Sequence, residues 1–405
     1  MNNYDVVILG AGASGMVAAI KLAQGGKSVA LIERQIRGGK KILASGNGRC
    51  NISNSSLSAK NFYINNKKLI QELLKSYSLA DIKAFFADLG LELIESEDKR
   101  LFPQSMSAAS VLNLLEERLK NLNITLYFGV EELKATRGFS FVFNNKKITS
   151  NALIIATGSE AAPQLGGSSS GLEIAKSFGH KIMKPLPALV PLVSNSAICK
   201  RLAGLKLPAK VHLFVDGAEQ SSKSGDLLFT KYGVSGLSIL DISIATVKAL
   251  SLKKSTLLKI DFFPTLNKKE LLKYFQNRLD KSRNLSMPSW LGAIIHPKLA
   301  FELLKSVDIQ ELNESQMKAT HIKALVEKIK ALPIEVENYR PMQYAEVALG
   351  GVDSNEVDYK TLESKKLKNL YFCGEVLDTI GDRGGYNFHF AWCSAFMVAK
   401  ALLRQ

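Results

Sequence analysis

Three glycines near the amino terminus have the spacing of a phosphate-binding turn. Gly10, Gly12 and Gly15 form the pattern G-x-G-x-x-G, and Glu33 follows about twenty residues later. The first glycine permits a tight bend, the second lets a pyrophosphate approach the backbone, and the third allows close packing of a helix on a strand. A carboxylate at Glu33 can accept hydrogen bonds from ribose hydroxyls and would repel a 2′-phosphate. These residues therefore predict a site for FAD or NAD.

The surrounding sequence predicts the elements that would position these groups. Residues 6–9 are an apolar, β-branched run typical of a buried parallel strand, and residues 16–24 have helical composition. Gly25-Gly26 ends that helix, and residues 28–32 predict a second apolar strand. The glycine pattern is specific only in this strand–helix–strand context. The helix N-terminus would offer free N–H groups and a positive dipole end to the phosphates.

Length and composition predict a multidomain protein of ordinary apolar content. The chain has 405 residues, of which 46% are hydrophobic and 22% are charged. A single core rarely exceeds about 250–300 residues, so two or three domains are expected. The amino-terminal residues lack the basic segment and the long apolar segment of a signal peptide. No run in the sequence approaches the ~18 apolar residues of a membrane span. We therefore expect a cytoplasmic protein that does not enter a membrane.

The cysteines and histidines predict neither dithiol nor metal chemistry. The cysteines lie far apart in the sequence and form no C-x-x-C pair, which argues against a disulfide-reductase mechanism. They are Cys50, Cys199, Cys373 and Cys393. The histidines show no metal-ligand spacing, so no metal site is predicted.

The net charge of +16 raises the question of a nucleic-acid partner. The excess is mostly lysine scattered along predicted helices, which is typical of a solvated surface; clustered arginines with interleaved aromatics would favour RNA more strongly. Between residues 195 and 340 there are 23 Lys and Arg against 14 Asp and Glu. This pattern disfavours a nucleic-acid partner, although a flavoprotein acting on RNA stays as an alternative.

A stretch rich in glycine, serine and asparagine follows the first strand–helix–strand unit. Residues 37–54 are predicted to form neither helix nor strand, and they contain Lys40, Lys41 and Arg49. Long ordered loops beside nucleotide sites are often functional. Backbone N–H groups freed by glycine, with cations among them, suit phosphate and ribityl contacts. A flexible surface loop is the alternative.

The remaining pattern predicts a dinucleotide-binding domain that is split in sequence. Predicted helices lie at 69–89, 107–122, 269–280, 297–306, 315–332 and 388–404. Predicted strands lie at 124–128, 139–143, 147–150, 152–156 (ending in Thr157-Gly158), 188–193, 209–215, 257–263 and 369–373. The late strand, glycine turn and helix would complete the first sheet. We predict four parts: FAD-binding residues 1–190, a β-rich insert 191–267, a helical insert 268–335, and FAD-binding residues 336–405.

Four blocks carry a resemblance to a known family. They are GAGASG (10–15), GGKKILASGNGRCNISN (38–54), LLFTKYGVSG (227–236) and LYFCGEVLDTIGDRGGYNFHFAW (370–392). In order and spacing, the blocks resemble the BaiN-like, aminoacetone-oxidase family of FAD-binding flavoproteins over essentially the whole chain. The resemblance implies an α/β fold, with a split Rossmann-type FAD domain and an inserted β-barrel-like and helical domain. It also implies an FAD-dependent oxidoreductase that acts on a small organic substrate.

The resemblance implies FAD contacts residue by residue. The pyrophosphate would be held by Gly10, Gly12, Ala13, Ser14 and Gly15, the adenosine ribose by Glu33, and the adenine by the backbone of Val130. The flavin side would include Lys40, Lys41, Arg49, Cys50, Asn51, Gly374, Glu375, Asp382, Gly385, Tyr386 and Asn387. Further predicted cofactor contacts are Arg34, Gly46, Thr157 and Gly158.

The flavin would carry the hydride, and the protein would orient and polarise the reactants. Tyr386 and His389 are the candidate catalytic residues, with ring stacking and a core histidine as their respective alternatives. Only one dinucleotide fingerprint is present, so NAD(P)H could serve only as a transient co-substrate. A non-catalytic module that keeps FAD as a structural element is a further alternative. The sequence leaves the substrate and the oligomeric state open.

Overall fold

In the computed structural model, which describes residues 2–281 and 283–404, the chain separates into two compact units. One unit comprises Met1–Leu186 and Glu346–Gln405, and the other comprises Pro187–Ala345. The amino-terminal and carboxy-terminal segments therefore share one unit. The finer division of the middle into a β-rich and a helical domain stays a prediction.

The helices and strands follow in chain order. The helices are α1 (Ala13–Gln24), α2 (Lys40–Ala44), α3 (Lys67–Ser76), α4 (Leu79–Asp88), α5 (Ala108–Asn121), α6 (Ser170–Ser177), α7 (Ala197–Arg201), α8 (Leu237–Ser251), α9 (Lys268–Leu279), α10 (Met287–Gly292), α11 (Pro297–Lys305), α12 (Ala319–Lys330) and α13 (Tyr386–Leu403). The strands are β1 (Asn2–Leu9), β2 (Val29–Ile32), β3 (Ser53–Asn54), β4 (Phe62–Tyr63), β5 (Leu93–Glu95), β6 (Arg100–Pro103), β7 (Thr125–Tyr127), β8 (Lys134–Ala135), β9 (Ser140–Phe143), β10 (Lys146–Ile155), β11 (Ile182–Ala188), β12 (Leu192–Val193), β13 (Lys206–Val215), β14 (Ala218–Thr230), β15 (Gly233–Ser235), β16 (Thr256–Asp261), β17 (Leu332–Glu335), β18 (Asn338–Tyr339), β19 (Val347–Val352), β20 (Leu370–Phe372) and β21 (Ile380–Gly381).

A parallel sheet forms the centre of the first unit. Its strands lie in the order β7-β2-β1-β10, and β20 pairs with β10 in parallel. Val7, Ile8 and Ile154 are fully buried, as expected for strands that are covered on both faces. Because β20 comes from the carboxy-terminal segment, the two ends of the chain build one sheet. The predicted α/β fold with a Rossmann-type sheet is confirmed.

The last helix of the chain is largely buried and packs against the first. Helix α13 contacts α1, and its Trp392, Cys393 and Val398 are fully buried. A Cβ on Gly25, just after α1, would lie 2.3 Å from the Leu403 side chain. The carboxy-terminal segment is therefore part of the core of this unit.

Three sequence predictions for the first unit were wrong in detail. The helix predicted at 69–89 is two helices, because Ser78 and Asp81 form a capping box that starts α4. The strands predicted at 147–150 and 152–156 are one strand, β10, which continues through Asn151. The stretch 37–54 is not free of regular structure, since it contains the short helix α2 and the strand β3.

The second unit contains a largely antiparallel sheet with helices beside it. The strand order is β17-β16-β13-β14-β15-β12-β18. Phe229, Phe275 and Trp290 belong to its apolar core and are fully buried.

The strand predicted at 188–193 is wrong, because Leu189 has a φ of +50°, a conformation incompatible with a strand. The chain leaves β11 before this point and forms β12 after it.

Within the ranges 2–281 and 283–404, the helices are too short or too polar to cross a bilayer.

Candidate functional site

The glycine-rich turn between β1 and α1 has two crowded positions and one open position. Gly10 has a φ of +102°, and a Cβ there would lie 2.6 Å from the Ala156 carbonyl oxygen. A Cβ on Gly15 would lie 1.9 Å from the Gly10 carbonyl oxygen. A Cβ on Gly12, in contrast, would meet no described atom within 4 Å. The first and third glycines are required by packing, whereas Gly12 borders open space that a ligand can use.

The N-terminus of α1 faces this turn without a side-chain cap among the described residues. Gly12 is the N-cap residue, and the Met16 N–H donates to its carbonyl at 3.0 Å. The N–H groups of Ala13, Ser14 and Gly15 lie in the first turn, which contains no acidic residue of its own. This end of α1 can therefore hold a pyrophosphate.

The Glu33 carboxylate is fixed in place by the backbone around it. Oε2 accepts the Ala11 N–H at 2.8 Å, and Oε1 accepts the Gln35 N–H at 2.8 Å. Its own carbonyl accepts the Val130 N–H at 3.1 Å. Each carboxylate oxygen keeps a further lone pair, so ribose hydroxyls can still donate to it. The predicted ribose and adenine contacts, Glu33 and Val130, are thus directly hydrogen bonded to each other.

The predicted cationic contacts have different partners. Lys40 Nζ donates to Gln35 Oε1 at 2.6 Å, and Lys41 Nζ lies 3.1 Å from Glu375 Oε2. Arg49 Nε donates to the Gly46 carbonyl at 3.1 Å. Among these cations, Lys41 is the one paired with the carboxy-terminal block. Arg34, a further predicted contact, places Nη2 3.4 Å from the Gly166 and Gly167 carbonyl oxygens.

Glu375 joins several segments of the first unit. Besides Lys41, its carboxylate accepts the Ser159 hydroxyl at 2.7 Å and the Ala348 N–H at 2.8 Å. The neighbouring Gly374 is equally constrained, because a Cβ there would lie 2.4 Å from Ser14 Oγ in the phosphate-binding turn. The carboxy-terminal block therefore lies directly against the amino-terminal site.

Cys50 and Asn51 are buried next to each other and differ in their chemistry. Burial raises the pKa of the Cys50 thiol to about 12, so it is not a nucleophile at neutral pH. Asn51 Oδ1 is buried and has no hydrogen-bond partner among the described atoms, and the same holds for Thr157 Oγ1. Buried polar atoms are normally satisfied. These two oxygens are therefore available to donors of a bound cofactor.

The block 380–387 is held together by its own side chains. Asn387 Oδ1 accepts the Gly381 N–H at 2.8 Å, and its Nδ2 donates to the Gly381 carbonyl at 3.0 Å. Asp382 accepts a hydrogen bond from the Tyr63 hydroxyl at 3.2 Å. Gly385 precedes α13 with a φ of +101°, and a Cβ there would lie 2.4 Å from the Ser53 carbonyl oxygen. These contacts fix the start of α13 beside residues 51–53.

Tyr386, the first residue of α13, keeps a protonated hydroxyl at neutral pH. Its hydroxyl donates to the Ser56 carbonyl at 3.2 Å. Burial raises the pKa of Tyr386, and the negative charge of Asp382 raises it further. The phenol is thus a neutral proton donor, the form that a general acid requires.

His389 is a core side chain. The ring has no exposed surface, with Nδ1 2.9 Å from Ser53 Oγ and Nε2 3.4 Å from Cys393 Sγ. Burial lowers the pKa of His389 to about 4, so the ring is neutral at physiological pH. This environment favours the core-histidine alternative over a role in proton transfer.

Sequence analysis missed several residues that complete the site. Ser159, Gln35 and Ser53 hydrogen bond to predicted site residues, and of these three only Ser53 lies within one of the four blocks that carry the family resemblance. Ser394 likewise accepts the Gly374 N–H at 2.9 Å from within α13. The partners of Ser159 and Ser53 lie 216 and 336 positions away, so local sequence could not identify these contacts, whereas Gln35 is only five positions from Lys40.

The described part of the chain contains no candidate metal-binding cluster and no paired cysteines. The histidine, cysteine, aspartate and glutamate residues there form no group of three that could hold a metal ion. The four cysteines are buried free thiols.

Comparisons with known proteins identify the family of this chain. The family profile described as "HI0933-like protein Rossmann domain" matches residues 4–401. A 3-dehydro-bile acid delta(4,6)-reductase from Clostridium scindens is 34% identical over 400 residues, 97% of this chain and 98% of the relative. A ribosomal RNA dihydrouridine synthase from Escherichia coli is 30% identical over 413 residues, 100% of this chain and 99% of the relative.

A solved structure shares the fold over the full length. The 3-ketosteroid delta1-dehydrogenase from Sterolibacterium denitrificans, in complex with 1,4-androstadiene-3,17-dione, has a TM-score of 0.53 at 11% identity and covers 100% of both chains. The predicted family and the predicted FAD-dependent oxidoreductase are confirmed. Because the profile spans nearly the whole chain and full-length relatives reach 34% identity, this protein belongs to the HI0933-like Rossmann family.

Proposed function

We propose that this FAD-dependent oxidoreductase reduces a carbon–carbon double bond conjugated to a carbonyl group of a small organic substrate. The uncapped N-terminus of α1 beside Gly12 supports dinucleotide binding, because it leaves open space for a dinucleotide. The observation that carries the choice of substrate class is the reaction named for two full-length relatives. A protein with this site and no cysteine pair must pass electrons directly between cofactor and substrate. We also propose that NAD(P)H is the transient donor and that the protein works in the cytoplasm.

The residues present fit FAD. The first turn of α1 would hold the pyrophosphate, and the Glu33 carboxylate would accept the ribose hydroxyls. Asn51 Oδ1 and Thr157 Oγ1, both buried and unpartnered in the described structure, would accept hydrogen bonds from the cofactor. When bound, FAD supplies hydride-transfer chemistry. The remaining steps belong to the protein's own side chains.

The names of two relatives point to the same class of reaction. One is a delta(4,6)-reductase of a 3-dehydro bile acid, and the other makes dihydrouridine in ribosomal RNA. Both names describe the saturation of a double bond in conjugation with a carbonyl group. Reduction of such a bond requires a hydride at one carbon and a proton at the other. The protein must therefore provide a proton donor.

We assign the proton donor to Tyr386. Its hydroxyl is neutral and is held by the Ser56 carbonyl, and its raised pKa keeps the proton on the phenol at neutral pH. His389 is less suited, because its ring is buried and unprotonated. The helix dipole of α13, whose N-terminus lies at Tyr386, would stabilise negative charge that develops nearby.

The test separates the two half-reactions. The FAD-loaded protein is mixed anaerobically with NADH, with NADPH or with one of a panel of amines, and loss of the visible flavin absorbance is followed. The reduced protein is then mixed with a panel of conjugated enones and with amines as non-enone controls. Return of the absorbance with enones alone supports the proposal. Reduction by an amine in the first step, with no reaction of enones in the second, would contradict it.

A second candidate function is the reduction of uracil within RNA, which is favoured by the name of the Escherichia coli relative, a ribosomal RNA dihydrouridine synthase. The chain carries a net charge of +16. The second unit holds 23 Lys and Arg against 14 Asp and Glu between residues 195 and 340. Phosphate contacts of lysine and arginine make RNA binding fall steeply with salt concentration.

Ribosomal RNA fragments and an unrelated RNA of equal length would test the RNA candidate. Binding is measured at several salt concentrations, and dihydrouridine is measured after incubation with NADPH. Dihydrouridine in the ribosomal fragment alone would favour RNA over a free small molecule. Equal, weak binding of both RNAs without dihydrouridine would eliminate this candidate.

A further inference from the structure

An arginine near the start of α13 is a neighbour of the proposed proton donor. A Cβ on Gly384 would lie 3.6 Å from Tyr386 Cε2 and 4.0 Å from Arg100 Nε. Gly384 directly precedes Gly385, the N-cap residue of α13. These residues all belong to the first unit. The guanidinium of Arg100 and the phenol of Tyr386 therefore border the same small space beside Gly384.

Strand pairing and the side chain of Asn54 hold these groups in place. Asn54 on β3 is paired with Arg100 on β6, so the two side chains lie on the same face of this small sheet. Asn54 Nδ2 donates to the Gly384 carbonyl at 3.0 Å, and its Oδ1 accepts the Ser56 N–H at 2.8 Å. The Ser56 carbonyl in turn accepts the Tyr386 hydroxyl at 3.2 Å. The arrangement is preformed, so binding a ligand would require little reorganisation.

The guanidinium of Arg100 retains donors for a ligand. Within residues 2–281 and 283–404 it makes one polar contact, an ion pair in which Nη2 lies 2.7 Å from Asp98 Oδ2. The side chain of Arg100 is 27% exposed and that of Asp98 is 52% exposed. A guanidinium carries several N–H donors in a planar fork, so Nε and Nη1 stay available. Arg100 is therefore an accessible cation that an exposed carboxylate holds at one end.

The proposed reduction places negative charge on an oxygen atom of the substrate. Hydride adds at one carbon of the double bond, and the electron pair of that bond moves toward the conjugated carbonyl oxygen. The proton from Tyr386 then reaches the other carbon and the carbonyl group is restored. A fixed cationic donor beside the oxygen lowers the barrier, because it stabilises the charge as it develops.

We propose that Arg100 is a catalytic residue whose guanidinium binds the carbonyl oxygen of the reducible substrate and stabilises the negative charge that forms there. This assignment rests on the proposed function, because it names the partner of Tyr386 in the same reduction. Tyr386 supplies the proton at carbon, and Arg100 orients the substrate through its oxygen.

A phenol tests this role without turnover. A phenolate bears its negative charge on an oxygen attached to a planar ring, and it gives a long-wavelength charge-transfer absorbance when it stacks on an oxidised flavin. The oxidised, FAD-loaded protein is titrated with para-chlorophenol and with its methyl ether, which cannot ionise. The test variants are Arg100→Gln, Arg100→Lys and Arg383→Gln, in which Arg383 is the cation next to Gly384 in sequence.

Arg118→Gln is the matched control. Arg118 forms a comparable ion pair with Asp88, in which the side chains are 29% and 54% exposed. It lies on α5, and its contacts with Asp88 lead away from the residues around Gly384. A loss caused by removing any half-exposed arginine would appear in this variant as well.

We expect the affinity for the phenolate to fall at least about tenfold in Arg100→Gln, because a charge-assisted hydrogen bond is lost. Bound phenol should also ionise at a higher pH in this variant than in the wild type. Arg100→Lys keeps the charge and should lose less. Reoxidation by an enone should slow about a hundredfold in Arg100→Gln. The affinity for the methyl ether should be unchanged, and Arg118→Gln should match the wild type throughout.

The assignment is overturned if a folded Arg100→Gln variant keeps the phenolate affinity, or if Arg383→Gln loses it instead. A wild-type protein that binds no phenolate would overturn it as well. If no enone is reduced, the proposed function fails, while the phenol titration still decides whether Arg100 binds an oxyanion. FAD absorbance and melting temperature show which variants are folded.

Discussion

Lys41 Nζ lies 3.1 Å from Glu375 Oε2, an ion pair between residues 334 positions apart. Their side chains are 29% and 19% exposed, so the pair is partly shielded from solvent. Because Glu375 also accepts bonds from Ser159 and Ala348, the pair connects the stretch after β2 to the carboxy-terminal block. The Glu375 carboxylate thus adds a polar connection between the two halves of the predicted FAD site, beside the packing of α13 on α1.

The first prediction concerns this ion pair. In a double-mutant cycle with Lys41→Met and Glu375→Gln, we expect a coupling free energy of about 1 kcal/mol, measured by denaturant unfolding of the FAD-free protein. Lys254 and Asp216 provide a control pair with a single contact of 3.5 Å between Nζ and Oδ2 and side chains 49% and 52% exposed. Their coupling should stay below about 0.5 kcal/mol because solvent screens them more strongly. Equal coupling in the two pairs would refute the special role of Glu375.

The second prediction contrasts two glycines of the phosphate-binding turn. Gly12→Ala places a Cβ in open space, so the unfolding free energy of the FAD-free protein should change by less than about 1 kcal/mol. FAD affinity should nevertheless fall at least about tenfold, because the methyl group occupies the space predicted for the pyrophosphate.

The matched control for Gly12→Ala is Gly15→Ala, whose Cβ would lie 1.9 Å from the Gly10 carbonyl oxygen. This variant should lose several kcal/mol of stability through overpacking, before any effect on the cofactor. Fluorescence titration with FAD and chemical denaturation separate the two effects. Unchanged FAD affinity in a folded Gly12→Ala variant would place the cofactor elsewhere.

The parts of the fold that were predictable depend on local sequence. The turn at Gly10 and the buried strand before it follow from spacing and apolar runs, because their partners are close in sequence. The break at Ser78 also had a local signal, the Ser-x-x-Asp capping box, which the apolar periodicity of residues 69–89 obscured. Ser159 could not be predicted, since only folding brings it to Glu375.

The third prediction separates the two candidate catalytic residues. Tyr386→Phe should slow the reoxidation of the reduced protein by an enone about a hundredfold or more, because the general acid is removed. The rate at which NAD(P)H reduces the flavin of the Tyr386→Phe variant should remain unchanged. His389→Gln should alter the enone step by less than about threefold, since the His389 ring is buried and neutral.

Stopped-flow measurement of each half-reaction checks these rates, and FAD absorbance confirms that each variant is loaded. A larger defect in His389→Gln than in Tyr386→Phe would reverse the assignment. Equal loss in both half-reactions of Tyr386→Phe would indicate a role in cofactor binding instead of proton donation.

The fourth prediction concerns acid stability. Burial lowers the pKa of His389 from 6.5 to about 4 in the folded protein. Between these values the unfolded chain binds a proton on this ring and the folded protein does not, so the unfolding free energy falls as the pH is lowered from 6.5 to 4. The full loss from this residue is about 3 kcal/mol. Burial also lowers the pKa of His180, which contributes in the same direction.

His389→Gln should therefore flatten the pH dependence of stability in this window, whatever its effect at neutral pH. The exposed His296, substituted by Asn to keep its N-cap hydrogen bond to Lys298, should leave the slope as in the wild type. Urea unfolding at half-unit steps between pH 4 and 7 measures both slopes. If His389→Gln kept the wild-type slope, the ring would already be protonated or solvated in the folded state. The start of α13 would then be more open than its contacts with Ser53 and Cys393 indicate.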